Sequence, residues 1–126
     1  MKSLKAKRIK IKIGNLWETP FLHILFTQED AVVVARCLDF TVSSHGGNEK
    51  EALTSLVDAI KEYIVTAIEN DALRTIYDSA HSKYWRLFNE CETKDTVSQI
   101  KKSLKKVWKS FPLEEIDHLT TKITYA

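Results

Sequence analysis

The stretch Ala31-Val-Val-Val-Ala-Arg36-Cys37-Leu-Asp39-Phe-Thr41-Val-Ser-Ser-His45-Gly46-Gly47-Asn48-Glu49-Lys-Glu51-Ala-Leu53-Thr-Ser-Leu56-Val-Asp58-Ala-Ile60-Lys-Glu62-Tyr-Ile64 decides the fold of this chain. Val32, Val33, Val34, Thr41 and Val42 are β-branched and stiff at χ1, which suits a pleated surface and predicts two strands. A helix follows them. Asn48 is placed to cap its first turn, and Glu51, three residues on, is placed to reach back to the cap amide as a capping box. Leu53, Leu56, Val57, Ile60, Ile64, Ala67 and Ile68 then recur at helical spacing, so one face of this helix is expected to lie on a sheet.

Upstream, Phe21 to Phe26 is a further strand candidate, and Gln28-Glu29-Asp30 reads as the polar turn of an antiparallel hairpin leading into Ala31 to Leu38. Arg8-Ile-Lys-Ile-Lys-Ile13 alternates apolar and basic residues, as a half-buried or edge strand does, and Gly14-Asn15 ends it. Downstream the chain turns helical. One stripe runs through Leu73, Ile76, Tyr77, Ala80, Tyr84, Leu87, Phe88 and Cys91, and another through Val97, Ile100, Leu104, Val107 and Trp108, ending before Pro112. Lys122-Ile-Thr-Tyr125 is a candidate terminal strand. No repeat or glycine-serine linker divides the sequence, so 1–126 reads as a single domain. Within it, a sheet-and-helix core spans about 8–70 and a helical extension about 71–126. The predicted class is α+β, an antiparallel sheet of three to four strands packed by one long helix.

The order Val34-Ala35-Arg36-Cys37-Leu38-Asp39, a second short strand, Gly46, and Glu51-Ala52-Leu53 with Leu56, Ala59 and Ile60 resembles the HicB-like antitoxins of toxin–antitoxin pairs. The resemblance runs from about Phe21 to Tyr63, and the spacing Asp39…Gly46…Glu51-Ala52-Leu53 is its most specific part. It implies a compact β-β-β-α-β unit, a partial ribonuclease H-like fold, that sequesters a small messenger-cleaving toxin, HicA. It also implies a homodimer or higher homo-oligomer. Many members carry Pro-Asp-Leu-Pro-Gly-Cys after the second strand where this chain has Cys37-Leu38-Asp39-Phe40-Thr41, which places it in a divergent branch.

With 126 residues, 44% hydrophobic and 29% charged, the chain has the composition of a soluble globular protein. Cys37 and Cys91 are its only cysteines, and no secretory leader or membrane span is legible, so the expectation is a reducing cytoplasm with no membrane association. The net charge of +2 does not by itself imply an anionic partner. Its distribution says more. Lys2, Lys5, Lys7, Arg8, Lys10 and Lys12 open the chain with no acid among them, and Lys94, Lys101, Lys102, Lys105, Lys106 and Lys109 enclose only Asp95. The intervening helix is acidic.

A Cys37–His45 nucleophile pair is conceivable, yet a strand cysteine is usually a small buried hydrophobe, and alternation sends Arg36, the nearest cation, to the opposite face. His23, His45, His81 and His118 are scattered and lack metal-ligand spacing. Gly46-Gly47 lacks the further glycine and Lys-Ser/Thr pair of a phosphate loop. Ser79-Ala80-His81-Ser82-Lys83-Tyr84 is similar to the toxin partner's histidine motif, but that motif belongs on a strand and this periodicity is helical. Ribonuclease H chemistry needs converging carboxylates, and Asp39 is the only acid between Asp30 and Glu49.

The expectation is therefore a non-enzymatic binding protein without cofactor or metal. It would sequester a small basic HicA-like toxin by occluding its active surface, using Glu49, Glu51, Asp58, Glu62 and Glu69 as the complementary acidic face. Trp17, Trp85 and Trp108 offer further contact surface. Two alternatives stay open. One is a small nucleic-acid-associated protein whose basic segments 1–12 and 94–109 contact phosphates, with Lys101, Lys102, Lys105, Lys106 and Lys109 on a shared helix face. The other is an orphan oligomerisation module without a toxin.

Overall fold

A computed structural model describes residues 1–126. The chain forms two compact units, Met1–Lys94 and Asp95–Ala126, and each is described by itself. In the first, β1 (Lys2–Ile9), β4 (Leu22–Glu29), β5 (Val32–Cys37) and β6 (Val42–Gly46) form one sheet in the order β1-β4-β5-β6 with every pair antiparallel. β2 (Lys12–Ile13) and β3 (Trp17–Glu18) make a separate two-stranded hairpin turned by Gly14 at φ +53. Helix α1 (Glu49–Glu69) packs on the sheet, and α2 (Ser82–Val107) follows a connector with a single 3-10 turn at Leu73–Thr75. The sequence-predicted α+β class, with its four-stranded antiparallel sheet, packing helix and C-terminal helix, is the observed one.

Alternation along the strands divides the sheet into two buried faces. Leu22, Ile24 and Phe26 on β4, with Val33, Ala35 and Cys37 on β5, meet Ala52, Leu56, Ile60 and Ile64 of α1. Burying each of the Leu, Ile, Val and Phe side chains among them contributes roughly 1.5–3 kcal/mol before entropy is counted. The alternate positions Leu25 and Leu38 meet Ala80, Tyr84, Trp85, Leu87 and Phe88 on the other face, where Ala6 of β1 joins them. β4, buried on both sides, therefore reads as a near-continuous apolar run.

Three expectations are corrected. The strand expected over Arg8–Ile13 begins earlier, at Lys2, and stops at Ile9. The following residues leave the sheet because Ile11 exchanges hydrogen bonds with Thr19: its amide donates to Thr19 Oγ1 at 2.9 Å, and its carbonyl accepts the Thr19 amide at 2.9 Å. The apolar run from Leu73 to Ala80 is not α-helical: beyond the 3-10 turn at Leu73–Thr75 it is irregular. Its backbone is used elsewhere, the Asp78 amide donating to the Asp39 carbonyl at 2.9 Å and the Ala80 amide to the Leu38 carbonyl at 2.9 Å. Helix begins only after His81, whose Nδ1 accepts the Lys83 amide at 3.1 Å. Finally, Lys122–Tyr125 is irregular and exposed rather than a terminal strand, and the outer place beside β4 is taken by β1.

β1 carries two devices that discourage further pairing at that edge, its lysines and a register shift between Ser3 and Lys5. At the far end, Gly46 is required by close approach. A Cβ there would stand 2.6 Å from the Ala52 amide nitrogen and 2.8 Å from the Glu51 carbonyl carbon, so the first turn of α1 can descend onto β6 only above a glycine.

The second unit holds the end of α2, 3-10 turns at Trp108–Ser110 and Leu113–His118, and an irregular tail. None of its side chains is buried. No helix of the chain is long and apolar enough to cross a membrane.

Candidate interaction faces

The capping box at the start of α1 forms with one change of partner. Asn48 Oδ1 accepts the Glu51 amide at 2.9 Å, whereas the Glu51 carboxylate accepts the Gly47 amide at 2.8 Å, one residue beyond the expected one. The first turn thus has its Glu51 amide satisfied, the amide of Gly47 just before the cap is held as well, and two acids stand at the helix's positive end. From there Ala52, Leu56, Ile60, Ile64 and Ala67 face the core. Glu51, Asp58, Glu62 and Glu69 recur at spacings of seven and four, so they form one exposed row on the opposite side. Lys50 and Lys61 border it, and Thr54, Ser55, Val65 and Thr66 floor the shallow depressions between. Glu49 does not belong to this row. It is half-buried and lies 3.9 Å from Lys5 Nζ.

The two basic segments differ. Three of the first six cations are engaged within their own unit: Lys5 with Glu49, Lys10 with Glu18 at 4.0 Å, and Arg8 with Glu92 through paired contacts of 2.8 and 2.7 Å. The hydrogen bond from Arg8 holds the Glu92 carboxyl below its usual range. Lys101, Lys102, Lys105 and Lys106 of α2, with Lys109 in the 3-10 turn beyond it, are exposed in the second unit.

A polar cluster on the second face of the sheet was not anticipated. The Asp39 carboxylate accepts the backbone amide of His23 at 2.8 Å and lies 3.0 Å from its Nδ1, while the imidazole meets Trp85 and Phe88 edge-on at centroid distances of 5.0 and 5.3 Å. Beside it Arg36 donates to the buried Thr27 hydroxyl at 2.7 Å and to both Glu29 oxygens, and its guanidinium sits 4.6 Å from the Tyr84 ring centroid. The signal for the first pair was the hairpin register. Ile24 opposite Cys37 brings His23 beside Leu38, whose amide donates to its carbonyl, and Asp39 comes next.

Cys37 and His45 are not brought together. His45 is exposed on β6 and pairs with Val34, whereas Cys37 pairs with Val42 and faces α1. Burial pushes the Cys37 thiol up to about 11, with Asp39 3.3 Å or less from His23 and 4.0 Å from the sulfur. Such a thiol is a poor nucleophile near neutrality. Trp85 binds Ser79 and packs on His23 inside the first unit, while Trp17 and Trp108 are exposed. Comparison with family models, curated proteins and solved structures finds no match for the chain.

Proposed function

We propose that the chain is a HicB-like antitoxin or antitoxin-derived binding protein, acting without catalysis by covering the active surface of a small basic ribonuclease toxin. The carrying observation is the exposed row Glu51, Asp58, Glu62 and Glu69 on a helix that directly follows three antiparallel strands. The strand-strand-strand-helix order over 22–69 agrees with the unit that the resemblance implies. Where that unit would continue with a strand after the helix, this chain supplies β1 from its N-terminal side. A row of carboxylates spaced along about five helical turns presents a continuous negative strip, suited to steering and seating a basic partner. Steric occlusion by the helix and its flanking depressions would then block substrate access.

The test is affinity capture of the tagged chain from lysate of its source cells, with and without nuclease, followed by mass spectrometry. A stoichiometric small basic protein that survives nuclease is expected. Its loss from the triple variant Asp58→Lys, Glu62→Lys, Glu69→Lys, with thermal unfolding unchanged, would assign the acidic row. Glu51 is left intact because it caps the helix. Recovery of nucleic acid alone, or of the chain alone, would overturn the proposal.

A further inference from the structure

The helical end of the second unit is amphipathic, and its apolar side stays about half exposed to solvent. Val97, Ile100, Leu104, Val107 and Trp108 are each between 43% and 61% exposed. Spacings of three, four and three keep the first four on one side of α2, and Trp108 follows in the 3-10 turn that continues it. Lys101, Lys102, Lys105, Lys106 and Lys109 occupy the adjoining and opposite sectors, and Asp95 is the only acid from Lys94 to Lys109. At the end of the stripe the Lys109 ammonium lies 5.8 Å from the Trp108 ring centroid.

These features select among occupants. Protein interfaces are depleted in lysine at their centres, whereas here lysine borders the apolar stripe directly. A phosphate backbone would engage the lysines but leave the stripe in water, and no arginine or asparagine is set among them to read bases. An anionic bilayer surface engages both at once: the stripe enters the acyl boundary, the lysine stems lie along it with their ammonium groups among the headgroups, and an indole sits at the interface. The helix would lie in the surface, since it is not apolar enough to span.

We propose that the end of α2 from Val97 to Val107, with the 3-10 turn that carries Trp108 and Lys109, forms a peripheral binding element for anionic phospholipid surfaces. This inference is independent of the acidic row on α1, so either proposal can fail without the other. The full chain should co-sediment with vesicles of phosphatidylcholine containing phosphatidylglycerol, and weaken steeply as salt rises. Trp108 emission should shift to the blue on binding, a shift that Trp108→Phe removes. The pair Lys105→Gln, Lys106→Gln should weaken binding by roughly tenfold or more. Leu104→Ser with Val107→Ser should weaken it to a similar extent, circular dichroism reporting that helix content is retained. Four outcomes would overturn the proposal: no binding to anionic vesicles, equal binding to phosphatidylcholine alone, dependence on the lysines without dependence on Leu104 and Val107, or retention of duplex nucleic acid without vesicle binding.

Discussion

Asp39 fastens the end of β5 to the beginning of β4. One carboxylate oxygen accepts the His23 amide and the other faces the imidazole, so its removal leaves a part-buried backbone donor without its acceptor. Asp39→Ala is expected to cost about 1–3 kcal/mol, read as a lower denaturant midpoint at constant slope, with Asp39→Asn recovering part of that loss because its amide oxygen still accepts. An unchanged midpoint would show that water replaces the carboxylate. Next to it, Cys37 gives the alkaline limb a definite sign. Its pKa rises from 9.0 unfolded to about 11 folded, so the thiol's contribution is complete below 9 and is lost as pH climbs through the interval to about 11. The midpoint should fall between pH 9 and about 11, and Cys37→Ala should fall less over that interval. Tyr63, also raised chiefly by burial, leaves a residual slope in the variant. Cysteine burial was legible from strand alternation alone; the aspartate–histidine pair required the register, which a single sequence shows only once the hairpin turn is fixed.

At the scale of elements, α1 was legible because cap, period and length agree. What the sequence did not separate were two roles carried by the same residue type. Glu51 shares the exposed row with Asp58, Glu62 and Glu69, yet its carboxylate is committed to the Gly47 amide, while Glu49, grouped with them by composition, turns toward Lys5. Glu51→Ala should therefore lower stability by about 0.5–1.5 kcal/mol, whereas Asp58→Ala should change it by less than about 0.5 kcal/mol. Thermal unfolding of the two single variants decides this, and equal effects would remove the distinction. The connector 73–81 departs from its sequence pattern for an opposite reason. Its apolar spacing fits a helix, but the carbonyls of Leu38 and Asp39 claim its amides, Thr41 donates its hydroxyl to the Asp78 carbonyl, and Tyr63 donates to the Ile76 carbonyl at 2.6 Å. Tertiary partners outweighed local period. Thr41 holds φ +53, an uncommon conformation for a β-branched residue, at this junction.

Across the whole molecule, stability should be uneven. Residues of α1 are locked by Leu56, Ile60 and other side chains with almost no exposure, whereas α2 from Asp95 onward buries no side chain. This part of the helix extends a segment that is packed at Phe88 but has no buried side chain of its own, so it is free to fray from its C-terminal end. The sequence showed the stripe at 97–108 but could not show whether anything covers it, because periodicity reports which side is apolar and is silent on the partner. Native-state hydrogen exchange separates the two conditions. Amides at 56–64 should exchange at rates set by global unfolding, and those at 97–107 several orders of magnitude faster, through local fraying. Addition of anionic vesicles should slow the second set and leave the first unchanged. Equal protection of both sets in the free protein would mean that the stripe is already covered in solution, and the helix would then be part of a cooperative core rather than a surface awaiting one.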